Sequence, residues 1–139
     1  MTVPSAYDSA SRDFYRFLAD AKDAATLVST HQTYTMVEGV FIAFRARLTT
    51  RQALHFADEL PLLLRALFVA GLNVDAPVLP FADRETMTRE VQALRGDHNF
   101  APDTAIADVA VALRKAMGDE ALDRALEGLP DEARAFWQT

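Results

Sequence analysis

The chain has no cysteine. Disulfides, thiolate metal sites and a cysteine nucleophile are therefore excluded, and the composition fits a reducing compartment. Long hydrophobic runs are missing as well. The longest apolar stretch, residues 60–72, is too short for a bilayer and carries Arg65 in its middle. The N-terminus, MTVPSAYDSASRDF, has neither a basic start nor an apolar run, so it does not read as a signal peptide. The expectation is a soluble cytoplasmic protein that does not enter a membrane. Glycine is scarce too, and the five glycines are scattered at expected helix ends, so nothing resembles a nucleotide loop. No G-x-S-x-G elbow appears, nor a Ser/His/Asp order with supporting context. No catalytic residue and no cofactor is assigned.

Positive charge is short by six: 14 Lys and Arg stand against 20 Asp and Glu, for a net charge of −6. The deficit is local. Residues 1–70 hold seven basic and seven acidic side chains, whereas residues 71–139 hold seven and thirteen. An acidic chain without a basic cluster is a poor match for phosphate-dominated nucleic-acid binding, so no nucleic-acid partner is expected. Most of the phenylalanines and all three tyrosines lie in the first half. If either half supplies a partner surface, the first is the better choice.

What the chain does have is an internal repeat. Residues 35–69 lie on residues 104–138 at a constant offset of about 69, without a gap. Eight pairs are identical: Thr35/Thr104, Val40/Val109, Ala43/Ala112, Arg45/Arg114, Leu60/Leu129, Pro61/Pro130, Arg65/Arg134 and Ala66/Ala135. Self-similarity of this length dictates architecture before any local feature does.

Apolar spacing reads as helix almost throughout, with no alternating period-two run. A first helix, about Ser11–Ala25, presents Phe14, Phe17, Leu18 and Ala21. A second, about His31–Leu48, presents Val37, Val40, Phe41, Phe44 and Leu48 as a stripe toward a core. Thr49 and Gln52 have capping-box spacing and start a short helix to about Glu59. Pro61 opens a fourth helix that Gly71 closes. The second half replays this order. Asp83 caps a helix to about Arg95, ended by Gly96; Pro102 and Asp103 open one carrying Ile106, Val109, Leu113 and Met117, ended by Gly118. Asp119 caps a short helix to about Glu127, and Pro130 leads into the last, with Ala133, Phe136 and Trp137. The predicted fold is all-α: one domain over residues 1–139, a bundle of about eight helices built from two similar four-helix repeats. Repeat one spans about 11–71, the connector 72–83 and repeat two 84–138.

This pattern resembles the bacterial all-helical family catalogued as domain of unknown function 2267. Members contain two such units, each with an F-L-type first helix, a V-x-x-V/A-x-x-x-L stripe, and an L-P step followed by Arg. Here these are Phe17-Leu18, Val37/Val40/Phe44 and Leu60-Pro61 with Arg65, then Met87/Val91, Ile106/Val109/Leu113 and Leu129-Pro130 with Arg134. The second unit departs by lacking an aromatic-Leu pair in its first helix and by a shorter loop before its long helix. The resemblance implies a fold and supplies no activity.

Two groups of residues are candidates for function. His31, Thr35 and Glu38 form a polar row on the second helix, and His55 with Asp58 and Glu59 lie on the third. Imidazole and carboxylate are suitable metal ligands at helical spacing, so His31, Glu38, His55 and Glu59 would bind a divalent ion if they converged. No H-E-x-x-H or E-x-x-H signature is present, and the expectation is no tight metal site. The second group is apolar. The stretch Leu62–Val69 is hydrophobic on nearly all sides, which makes it either a central buried helix or one whose outer face meets another protein. Tyr34, Phe41, Leu63 and Phe68 are the expected contact residues of a homodimer formed through the first repeat, or of a contact with an unknown protein partner. Arg45/Arg114 and Arg65/Arg134, present in both units, are expected to serve the fold by meeting helix C-termini or carboxylates. The leading functional expectation is a self-association or interaction module without catalytic activity. The alternative is a small-molecule or metal-binding protein that uses the polar row.

Overall fold

The computed structural model describes residues 3–139, and all regular structure within them is helical. The helices are α1 (Ser5–Ala25), α2 (Thr30–Arg45), α3 (Thr50–Asp58), α4 (Leu62–Val69), α5 (Arg84–Ala93), α6 (Ala105–Met117), α7 (Asp119–Leu126) and α8 (Asp131–Phe136). A short 3₁₀ turn covers Gly96–His98.

Several boundaries follow the expected chemistry. Thr49 and Gln52 make both reciprocal bonds of the capping box at the start of α3. Asp83 accepts from the Thr86 amide at 2.7 Å and opens α5. Others differ. Helix α1 begins at Ser5, ahead of the expected Ser11, in a largely exposed segment that carries no apolar period. Helix α2 stops at Arg45, because the amides of Arg47 and Leu48 bond three residues back instead of four. At the end of α5 both Arg95 (φ 64) and Gly96 (φ 47) are left-handed, so the helix closes at Ala93. Asp119 lies inside the first turn of α7, with Gly118 in the cap position.

The core runs along α2, whose Met36, Val37, Val40, Phe41 and Phe44 are fully covered. Its partners come from both halves. Helix α1 packs most extensively against α6, and α2 packs against α5, so the opening helix of each half lies on the long helix of the other. Helices α3 and α7 also meet across the halves, as do α2 and α6. An aromatic cluster completes this interlock. Phe56 stacks on Trp137 at 5.7 Å with an interplanar angle of 16°, while Phe44 touches Phe136 at 4.9 Å and Trp137 at 5.2 Å. First-half rings thus surround the two aromatics at the end of α8.

One glycine is not at a helix end. Gly39 sits in the middle of α2, where a Cβ would stand 3.0 Å from the Val91 carbonyl oxygen of α5. The missing side chain sets how closely the two helices approach.

An ion pair with a buried arginine joins the end of α2 to α5. The Arg47 side chain is 3% exposed and meets Glu90 of α5 through two bonds, of 2.6 and 3.1 Å. The guanidinium also donates to the carbonyls of Ala43 (2.8 Å) and Pro80 (3.1 Å). It therefore ties the end of α2, the connector and α5 together.

The recurring arginines are structural. Arg45 donates to the Phe68 and Ala70 carbonyls at the end of α4, and Arg65 to those of Ala57 and Asp58 at the end of α3. Arg114 donates to the Trp137 carbonyl and the Asp119 carboxylate, and Arg134 to Asp123. Arg45 and Phe68 are separated by the same number of residues as Arg114 and Trp137. Arg84 reaches the carbonyls of Ala135 and Phe136 and lies 5.9 Å from the centre of the Phe136 ring. Burial lowers the pKa of Arg45 and Arg84 from the usual arginine value. Orphan carbonyls at helix ends, where the dipole is negative, are natural partners for these groups.

Candidate functional site

The polar row does not assemble. His31 is exposed in the first turn of α2, and Glu38 is half-buried two turns along the same helix. His55 and Glu59 are engaged elsewhere, on α7. His55 Nε2 is 2.9 Å from the Arg124 carbonyl oxygen, and Glu59 accepts from Arg124 Nε at 3.3 Å. Asp58 is exposed. Thr35 is buried, and its hydroxyl has no hydrogen-bond partner. Among the described residues, no three His, Asp or Glu side chains are arranged to hold a metal ion. Helical spacing placed each residue on its own helix but gave no relation between the helices.

The apolar candidates divide. Phe41 and Phe68, expected at a contact face, are 1% and 0% exposed. Their rings meet edge-to-face at 5.3 Å, and Phe41 also reaches Trp137 at 6.3 Å. They are core residues because the chain itself supplies the aromatic surface that a partner would have offered. Tyr34 is half-buried and Leu63 is exposed. Helix α4 is not the central buried helix: Leu64 and Phe68 face inward, while Leu63 and Ala66 face out. Leu63 borders a small cleft of about 140 Å³ between α1, α4 and α6, whose charged residues include Asp13, Asp20 and Lys115.

A larger groove lies where sequence reasoning saw only a connector. It has a volume of about 540 Å³ and runs between the end of α2 and residues 71–79. Ile42, Leu48, Leu72, Val74, Val78 and Leu79 form its apolar walls. Ile42, Val74, Val78 and Leu79 are all substantially exposed. Leu79 is fixed there because its amide donates to the Ala46 carbonyl at 2.9 Å. Arg45 is the single charged residue of the lining, and its guanidinium is already bonded to the Phe68 and Ala70 carbonyls. No carboxylate, imidazole or lysine lines the groove. The arrangement offers apolar area with Arg45, Thr49, Thr50 and Asn73 as its polar residues.

Apart from Arg45, the titratable groups with displaced pKa values lie away from the groove. Burial on α6 raises the Asp108 carboxyl above its ordinary value, opposed by the 2.7 Å bond from the Thr104 hydroxyl. Because its folded pKa is raised, the stability this group contributes is full below its unfolded pKa and declines as pH rises through the folded value. Asp108→Asn keeps the acceptor oxygen and removes the desolvated charge. It is expected to raise the melting temperature at pH 7, with the difference vanishing below about pH 4. Thermal melts across that range check this; a variant melting below wild type at neutral pH would contradict it. Asp83 behaves oppositely. Hydrogen bonds from Thr86 lower its pKa, so its contribution is lost as pH falls.

Among the described residues, no helix is long and apolar enough to cross a membrane. A comparison with curated proteins finds no match. The family model described as "Uncharacterized conserved protein (DUF2267)" matches residues 14–136, nearly the whole chain and both of its halves. This all-helical chain therefore belongs to the DUF2267 family.

Proposed function

We propose that this protein is a non-catalytic cytoplasmic module for self-association, in which a second copy of the chain covers the groove between α2 and residues 71–79. The observation that carries this reading is the groove's lining: exposed Ile42, Val74, Val78 and Leu79 stand in a wall that contains no carboxylate, the exposed Asp75 lying between two lining residues. Apolar patches rimmed by polar residues are characteristic of interaction sites. Charge argues for a second copy meeting on this face. At a net charge of −6, two chains repel, and the repulsion is smallest where the contact lacks acidic groups. The groove belongs to the half whose basic and acidic residues balance, and to the connector behind it. The repeat in the sequence supports a single domain of two like halves.

Light scattering at micromolar concentration tests the reading. Wild type is expected to run as a dimer. Ile42→Glu, which places a charge on the groove wall without touching the core, is expected to run as a monomer with unchanged helical content. Leu63→Glu, outside the groove's lining, is expected to leave the dimer intact. A wild-type monomer would end the proposal.

A further inference from the structure

The main packing surfaces of this fold lie between its two halves. Helix α1 rests on α6, α5 on α2, and α3 on α7. The Arg47–Glu90 pair and the Arg124–Glu59 pair both join one half to the other. Phe136 and Trp137 of the second half complete the cluster of Phe44 and Phe56 in the first. Between the halves runs an exposed, helix-free segment, residues 70–83. It is held to the body through the Leu79 amide on Ala46, the Pro80 carbonyl on Arg47, the Ala70 carbonyl on Arg45 and the Phe81 ring, 6.3 Å from that of Phe44.

We infer that the two halves, residues up to 71 and residues from 84 onward, are exchangeable between two copies of this chain, with the connector as the hinge. The physical reason is that a surface formed between covalently joined parts is equally satisfied by the same parts from another molecule. Only the connector decides which is used. In the closed monomer, a short linker holds its partner half at an effective concentration of about millimolar. The closed form therefore dominates in dilute solution, and exchange appears when chains fold together at high concentration. The resulting dimer keeps the contacts within each half inside one chain and remakes the contacts between halves across two chains. This inference does not depend on the groove, and an Ile42→Glu background removes groove association from the test.

The Arg47–Glu90 pair provides the experiment. In that background, Arg47→Glu and Glu90→Arg each set like charges against one another inside a closed monomer. In an exchanged dimer of one variant with the other, the glutamate introduced at position 47 meets the arginine introduced at position 90. The native Arg47–Glu90 pair is restored on the other side. Co-expression with a tag on one chain is expected to yield a heterodimer of twice the monomer mass, melting above either variant alone. A second arm refolds tagged and untagged Ile42→Glu chains, otherwise wild type, together from denaturant at high concentration. It is expected to give mixed dimers that persist on dilution. Exchange needs no variant to fold alone in this arm. Heterodimer with a raised melting temperature, or persistent mixed dimers, supports exchange. Monomers alone in both arms, or co-purification without a gain in melting temperature and no mixed dimers, overturn it.

Discussion

Trp137→Ala is expected to lower the stability of the fold by about 3–5 kcal/mol, the cost of emptying a large aromatic site in a packed core. Trp137 is fully buried and contacts Phe41, Phe44, Phe56 and Phe136. It follows the last helix, yet it fills the centre of a cluster supplied mainly by the first half. The loss should therefore be global, with the helices melting together in one transition. Urea titration followed by circular dichroism measures it, and a loss below about 1 kcal/mol would contradict the assignment, since that is the range of an average substitution. Trp137→Phe gives a finer reading. The indole N–H is buried without a hydrogen-bond partner, and such a donor costs about 1–3 kcal/mol. Phenylalanine removes that cost while leaving only a small void, so its loss is expected to be well under half that of alanine. As the protein's single tryptophan, Trp137 also reports by its own fluorescence whether wild type has unfolded.

Glu90→Ala carries the second large effect. It leaves the Arg47 guanidinium, 3% exposed, without its counter-ion, although the bonds to Ala43 and Pro80 remain. Removing one partner of a fully buried pair costs about 3–5 kcal/mol. Glu90 is itself 38% exposed, so water reaches the vacated position, and the expected loss is about 2–3 kcal/mol. Glu90→Gln, which keeps an acceptor, should lose less. Chemical denaturation of the two variants decides the point. A loss within about 0.5 kcal/mol for Glu90→Ala would mean that the charge is hydrated and the pair is ornamental.

The local features were legible because each depends on a few neighbouring residues. The stripe of Val37, Val40 and Phe44, the Thr49–Gln52 box and the Asp83 cap all fall on the elements that their spacing predicts. Relations between elements were not. Nothing in the period of α1 says that it rests on α6 and not chiefly on its neighbour α2. Phe41 and Phe68 illustrate the limit. An apolar stripe shows that a face is covered and is silent on whether the same chain or another covers it. Gly39 departs from the expectation that every glycine marks a helix end, because a glycine within a helix has a reason only in the neighbour that presses on it, here Val91. The groove escaped notice for the opposite reason. Val74, Val78 and Leu79 sit among prolines in a segment with no period, and their exposure depends on how the connector is pinned to Ala46 and Arg47.

The arginines that close helix ends separate two properties usually treated as one. Lys22 and Lys115 are the only lysines, so nearly all the positive charge is guanidinium. Arg45, Arg65 and Arg84 each reach at least two backbone carbonyls with one planar fork. Exchanging these three for lysine would leave the net charge at −6, and the protein would elute from an ion-exchange column almost where it does now. Its short helices would nonetheless lose many of their terminal bonds, because an ammonium is a point donor on a flexible stem. Mutational surveys that score lysine for arginine as silent would therefore misjudge this chain at its helix ends.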